Sequence, residues 1–154
     1  MTAHRRHGYD AVRAAGCPAR IIGMGDFDVV VGAGSLRSAA PGRLSFPHRW
    51  TAEGVTAEAA FTGAHLLHLA VAGCVLNDVY READRLQVPL VGVRVAATGD
   101  FDRSTWQSTG IDYTVEIDST SAQIDALLTT VDSVAEIPQA IRAGATVRRI
   151  STVY

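Results

Sequence analysis

Residues 64 to 86 read as one long helix, and the first half of that helix has no polar side. Leu66, Leu67, Leu69, Ala70, Val71, Ala72, Val75 and Leu76 surround its axis, so this stretch must be covered from every direction. The second half is amphipathic. Asn77, Asp78, Arg81, Glu82 and Arg85 occupy one side, and Val79, Tyr80, Ala83 and Leu86 the other. Pro89 then forbids continuation. One domain of 154 residues offers few layers to cover such an element. A second copy of the chain is therefore expected to supply the missing cover, in an intertwined homodimer.

The segments on either side are mostly strands. Asp26 to Val31 alternates and is expected to end at Gly32-Ala33-Gly34. Ser35 to Ala39 and Arg43 to Phe46 read as short strands around the turn Pro41-Gly42, and Pro47 to Gly63 as a long connection. Beyond the helix, Val91, Val93, Val95, Ala97 and Phe101 alternate with Arg94, Thr98 and Asp100. Ile111, Tyr113, Val115 and Ile117 alternate with Asp112, Thr114, Glu116 and Asp118, the cleanest period of two in the chain. Thr120-x-x-Gln123 has the form of a capping box. The stripe Ile124, Leu127, Leu128, Val131 and Val134 follows it at helical spacing. Pro138 suits the first position of a third helix closed by Gly144, and Thr146 to Ile150 reads as a last strand. This order indicates an α+β fold, not a strand–helix alternation. Residues 1 to 20 read as a loose arm with a short helix over Asp10 to Ala15, and residues 21 to 154 as a single domain.

Composition removes several classes of function. With 47% hydrophobic and 19% charged residues the chain is not disordered as a whole. A net charge of −2 lacks the basic stripe of a nucleic-acid binder. All fourteen basic residues are Arg, which excludes Schiff-base and P-loop lysines. No apolar run approaches a membrane span, and no apolar segment follows the charged Met1–His7 start, so a cytoplasmic protein is expected. Cys17 and Cys74, 57 residues apart, match no metal-knuckle spacing and fit a reducing compartment.

Few residues offer chemistry. Cys74 lies on the angular stripe of Asp78, Arg81 and Arg85, so it looks toward the polar sector of its helix. It reads either as a small core residue or as a reactive thiol. His65 and His68 are spaced i, i+3 but lack a third ligand, so packing or capping is the better reading and no metal is expected. His48, in Pro-His-Arg-Trp, reads as a loop anchor, and Asp100 and Asp102 as a solvated turn. Gly32-Ala33-Gly34 lacks the strand–helix context of a nucleotide loop, and no cofactor is implied.

The segment Thr62-Gly63-Ala64-His65-Leu66-Leu67-His68-Leu69-Ala70-Val71-Ala72-Gly73-Cys74 resembles the central-helix motif of the OsmC/Ohr family, T-x-P-x-x-L-L-x-A-x-A-x-C. Leu86 to Val95 resembles that family's helix end and following strand. Ala135-Glu136-Ile137-Pro138-Gln139-Ala140-Ile141 resembles the segment around its second cysteine, usually Cys-Pro before a short helix. The likeness covers roughly residues 21 to 150. It implies an OsmC-like fold, with antiparallel sheets from two subunits wrapped around long central helices. It also implies reduction of organic hydroperoxides by a reactive cysteine, an Arg and a Glu that organise it, and a resolving cysteine.

Carried over, the reactive cysteine is Cys74 and the arginine is Arg37, while Leu67, Ala70 and Val71 would line an apolar substrate pocket. Two positions depart from the family: Ala64 stands at its Glu and Ile137 at its second cysteine. The resemblance thus implies a one-cysteine thiol peroxidase, active in oxidative-stress defence and recycled by an external thiol or by Cys17. The alternative is a non-catalytic relative that binds a small apolar ligand at the dimer interface.

Overall fold

The structure, a computed structural model, describes residues 25–150. The arm, its short helix and Cys17 lie outside these residues. Five strands and three helices follow in the order β1 (Val29–Gly34), β2 (Leu44–Phe46), β3 (Val55–Glu58), α1 (Gly63–Leu86), β4 (Gly92–Phe101), β5 (Ser108–Asp118), α2 (Ile124–Val134) and α3 (Glu136–Ala143). The strands form one antiparallel sheet, ordered β2-β3-β1-β4-β5. The chain therefore has the expected α+β architecture.

Helix α1 has defined ends. Thr62 is extended at the N-cap, and its Oγ1 accepts from the His65 N–H at 3.3 Å. Gln87 closes the other end in the left-handed region, at φ 56° and ψ 39°. Its side-chain Nε2 donates to the Asp84 carbonyl at 2.7 Å and the Val88 N–H to Ala83 at 2.8 Å, which satisfies carbonyls the helix leaves open.

The inner face of the sheet presents Val29, Val31 and Ala33 from β1 and Val93, Val95 and Ala97 from β4. Against it α1 buries Ala72, Val75, Leu76 and Val79. Leu127 and Val131 of α2 cover a further side of α1, and α3 contacts it as well. Among the described residues the cover stops there. Leu66 remains 40% exposed, and Ala70 and Asn77 on the same side are exposed. The helix expected to be enclosed on all sides has a stripe that the described residues leave open.

Several local expectations are corrected. Strand β1 begins at Val29, three residues later than Asp26, and ends at Gly34 as expected, with Gly32 still paired inside it. A Cβ on Gly32 would meet the Leu36 carbonyl oxygen at 2.2 Å, and one on Gly34 the Val91 oxygen at 2.1 Å, so both glycines permit close backbone approach. Ser35 to Ala39 is a turn and coil, not a strand. The connection from Pro47 to Gly63 contains β3, whose buried Thr56 donates to Gly32 O at 3.2 Å and accepts from the Ser38 N–H at 2.8 Å. The capping box at Thr120 does not form. Gln123 is the N-cap of α2 without a side-chain bond, and its N–H donates instead to Ser121 Oγ at 3.1 Å. Residues 145–150 have no regular structure, so the last strand is absent. Among the described residues no helix is long and apolar enough to cross a membrane.

Leu76, 1% exposed between α1 and the sheet, tests this packing. Leu76→Ala is expected to cost about 2–5 kcal/mol of unfolding free energy, read from urea denaturation. A loss below about 1 kcal/mol would mean that α1 does not lie on the sheet as described.

Candidate functional site

Cys74 sits where α1 meets the start of α3. Its side chain is half-buried and faces a cleft of about 380 Å³ lined by Leu69, Ala70, Gly73, Asn77, Asp78, Glu136 and Ile137. One helical turn separates Cys74 from Asp78, and the thiol donates to Asp78 Oδ2 at 3.6 Å. Asp78 is buried and lies 2.8 Å from a terminal nitrogen of Arg81. The same nitrogen is 3.9 Å from Glu136 Oε2, so Arg81 bridges α1 to α3. Arg81 Nε also meets Glu82 at 3.2 Å, and Glu82 takes Arg85 Nε at 2.6 Å.

These surroundings decide the charge of the sulfur. Burial pushes the Cys74 thiol up to about 11, the carboxylates of Asp78 and Glu136 add to the rise, and the Ile137 backbone N–H opposes it. That N–H belongs to the first turn of α3, where a helix carries partial positive charge. The carboxyl of Asp78 is also raised, chiefly by burial, with Arg81 pulling it down and Glu136 pushing it up. Cys74 is thus a neutral thiol at pH 7, hydrogen-bonded to a carboxyl group with unusual affinity for a proton. That pairing can pass a proton from sulfur to oxygen.

The candidates from the sequence are not all brought together. Arg37 follows β1 and lines a recess with Val30, Gly32, Glu58, Arg94 and Glu116. Those side chains alternate with the core-facing ones of β1 and β4, so Arg37 stands on the outer face of the sheet and α1 on the inner. Within one chain Arg37 and Cys74 are on opposite sides. Ala70 borders the Cys74 cleft, whereas Val71 lines a neighbouring cavity of about 310 Å³ with Ile111, Tyr113, Pro138 and Ile141. Leu67 lines neither.

Ile137 does lie in the cleft beside Cys74, and Ala64 is ten residues earlier on α1. The acids at the sulfur, Asp78 and Glu136, were not singled out for a role from sequence. The i, i+4 spacing of Cys74 and Asp78 was the available signal; Glu136 had none. The histidines pack and cap. His65 Nδ1 is 2.6 Å from the N-cap hydroxyl of Thr62, and buried His68 donates through Nδ1 to the Phe27 carbonyl at 2.8 Å. Donor atoms of Cys74, Asp78 and Glu136 lie within 4.8 Å of one another, a spacing a cation's ligands can have. Arg81 already supplies positive charge to both carboxylates.

A family model described as OsmC-like protein matches residues 56–149, which include α1, Cys74 and the acids beside it. Among solved structures the chain is similar to an OsmC-like hydroperoxide resistance protein from Jannaschia sp. CCS1. The identity is 16% and the TM-score 0.46, over 82% of this chain and 95% of that one. No curated protein matches the chain.

The carboxylates beside Cys74 make a signed prediction. The thiolate is the form that alkylates, so the rate with iodoacetamide should be slow at neutral pH and rise toward about pH 11. Asp78→Asn removes one negative charge and should move that midpoint down. A wild-type rate already on its plateau below pH 7 would contradict the electrostatics described.

Proposed function

The chain belongs to the OsmC-like family, and from that membership we propose that it is a one-cysteine thiol peroxidase reducing organic hydroperoxides at Cys74. The observation that carries this reading is the cleft itself: an accessible thiol, hydrogen-bonded to a carboxyl, with apolar Leu69, Ala70 and Ile137 around it. Apolar walls favour an alkyl or aryl hydroperoxide over hydrogen peroxide. Asp78 takes the thiol proton as the sulfur attacks the distal peroxide oxygen. The O–O bond breaks, Cys74 becomes a sulfenic acid, and the proton passes to the departing alkoxide to give the alcohol. Two external thiols then return the cysteine to its reduced form, leaving a disulfide and water.

With Ile137 in the cleft, the family's second-cysteine position supplies no resolving sulfur in this chain. The open stripe of Leu66, Ala70 and Asn77 supports a homodimer in which a second copy covers α1. Arg37, on the outer face of its own sheet, serves Cys74 only across such a dimer. The working place of this peroxidase is the cytoplasm, in defence against oxidative stress. A second reading, a non-catalytic relative that binds a small apolar ligand, is favoured by one observation: the thiol is held neutral at pH 7.

One equivalent of cumene hydroperoxide separates the two. The peroxidase yields cumyl alcohol and a Cys74 sulfenic acid that dimedone traps, whereas unconsumed peroxide with Cys74 unmodified supports the binder. Sedimentation should find a dimer at micromolar concentration. A stable monomer would contradict the assembly.

A further inference from the structure

The cavity beside Val71 is walled by three elements: Val71 of α1, Ile111 and Tyr113 of β5, and Pro138 and Ile141 of α3. Val71 is 3% exposed and follows Ala70 by one residue, so it points about 100° further round the helix. The cavity is therefore separate from the open stripe of Leu66, Ala70 and Asn77, and Cys74 does not line it. Protein interiors are close-packed, so a space of this size between a helix pair and a strand is a feature to account for. An apolar space of about 150 Å³ accepts benzene. At about 310 Å³ this one has room for a ring with a short alkyl chain and one polar group.

Three polar side chains reach the cavity: Ser108, Tyr113 and Arg142. Tyr113 gives its proton to Asp132 Oδ1 at 2.6 Å. Ser108 Oγ accepts from the Gly110 N–H at 3.2 Å, which leaves its own proton free to donate. Arg142 stands exposed in the last turn of α3 and is in no ion pair among the described residues. Burial and Asp132 raise the Tyr113 phenol to about 12, and the charge of Arg142 opposes that rise, which places the guanidinium beside the ring. The cavity thus offers a cation and a hydroxyl donor at the edge of apolar walls.

Its charge sets it apart from the two other recesses. Asp78 and Glu136 line the Cys74 cleft, and Glu58 and Glu116 line the recess at Arg37. A carboxylate entering either meets like charge. No acidic residue lines the cavity beside Val71; Asp132 takes the Tyr113 proton and is not part of the wall. An unpaired guanidinium is suited to a carboxylate, which it can hold through two parallel hydrogen bonds.

We infer that this cavity binds a small apolar monocarboxylate, of the class of an alkyl-substituted benzoate. The carboxylate meets Arg142 and Ser108, and the ring lies among Val71, Ile111, Tyr113 and Ile141. A neutral alcohol of the same shape fills the walls but brings no charge to Arg142. A dianion would carry a second charge against apolar side chains, with no partner there. The inference does not rest on the chemistry proposed at Cys74, because the two sites have different polar groups.

The test titrates 4-ethylbenzoate and its neutral counterpart 4-ethylbenzyl alcohol into the full-length protein at pH 7, by calorimetry and by NMR of the methyl groups. Saturable binding of 4-ethylbenzoate is expected, about tenfold tighter than the alcohol, the size of one charge-assisted hydrogen bond. Its shifts should fall on the methyl groups of Val71, Ile111 and Ile141. Arg142→Gln, a change at an exposed position, should weaken the benzoate by about tenfold and leave the alcohol unchanged. Cys74→Ser should bind as the wild type does, whatever the outcome of the peroxide experiment. Equal affinity for the two compounds, undiminished binding in Arg142→Gln, shifts confined to other methyl groups, or no saturable binding would overturn the inference.

Discussion

The site depends on how α1 lies on the sheet. The apolar inner face of β1 and β4 takes Ala72, Val75, Leu76 and Val79, and α2 and α3 close on further sides. Once those residues are committed to the core, the helical period fixes where the others point. Cys74 and Asp78 come to the junction with α3, and Leu66, Ala70 and Asn77 to the open side. Each buried aliphatic side chain contributes roughly 1.5–3 kcal/mol through removal from water, far more than any single polar contact around the thiol. Packing therefore places the chemistry. The polar contacts only tune it.

At the thiol the tuning runs against ionisation. Two unit charges 4 Å apart interact by about 1 kcal/mol in water and about 4 kcal/mol near a protein surface, so a thiolate beside Asp78 and Glu136 meets appreciable repulsion. Arg81 is spent on those carboxylates, at 2.8 Å and 3.9 Å. What remains on the favourable side is the first turn of α3, whose Ile137 N–H meets the sulfur. The balance leaves a thiol with a ready proton acceptor. Were Cys74 to attack a peroxide as proposed, Asp78 would take its proton as the sulfur attacks. A guanidinium brought by a second copy would shift the balance, since α1 is open on the side where that copy would dock.

Much of this was legible in the residue pattern, and the failures have physical causes. The end of α1 followed from Pro89, and β5 from its alternation, because local chemistry and tertiary packing agree there. Strand β3 was missed because only four residues pair, in a segment rich in turn formers, and the strand is held by its neighbours more than by its own pattern. Gly32-Ala33-Gly34 marks the end of β1 as its composition suggests, and the two glycines also make room for backbone from the following turn and from the β4 side, which the residue pattern does not reveal. Cys74 stood out through its stripe and its family motif. Glu136 did not, since its approach to the thiol depends on how α3 docks on α1, a contact between residues 62 positions apart.

The rate at which cumene hydroperoxide oxidises Cys74, followed from neutral to alkaline pH in the wild type and in Asp78→Asn, tests the central claim most directly. The account predicts a slow wild-type rate at neutral pH, assisted by Asp78, that climbs further as the thiol approaches its ionisation near 11. Asp78→Asn should lose the assisted rate at neutral pH and begin its climb at lower pH, because it has lost the proton acceptor and the repelling charge. A fast, pH-independent oxidation at neutral pH, the same in both proteins, would contradict it.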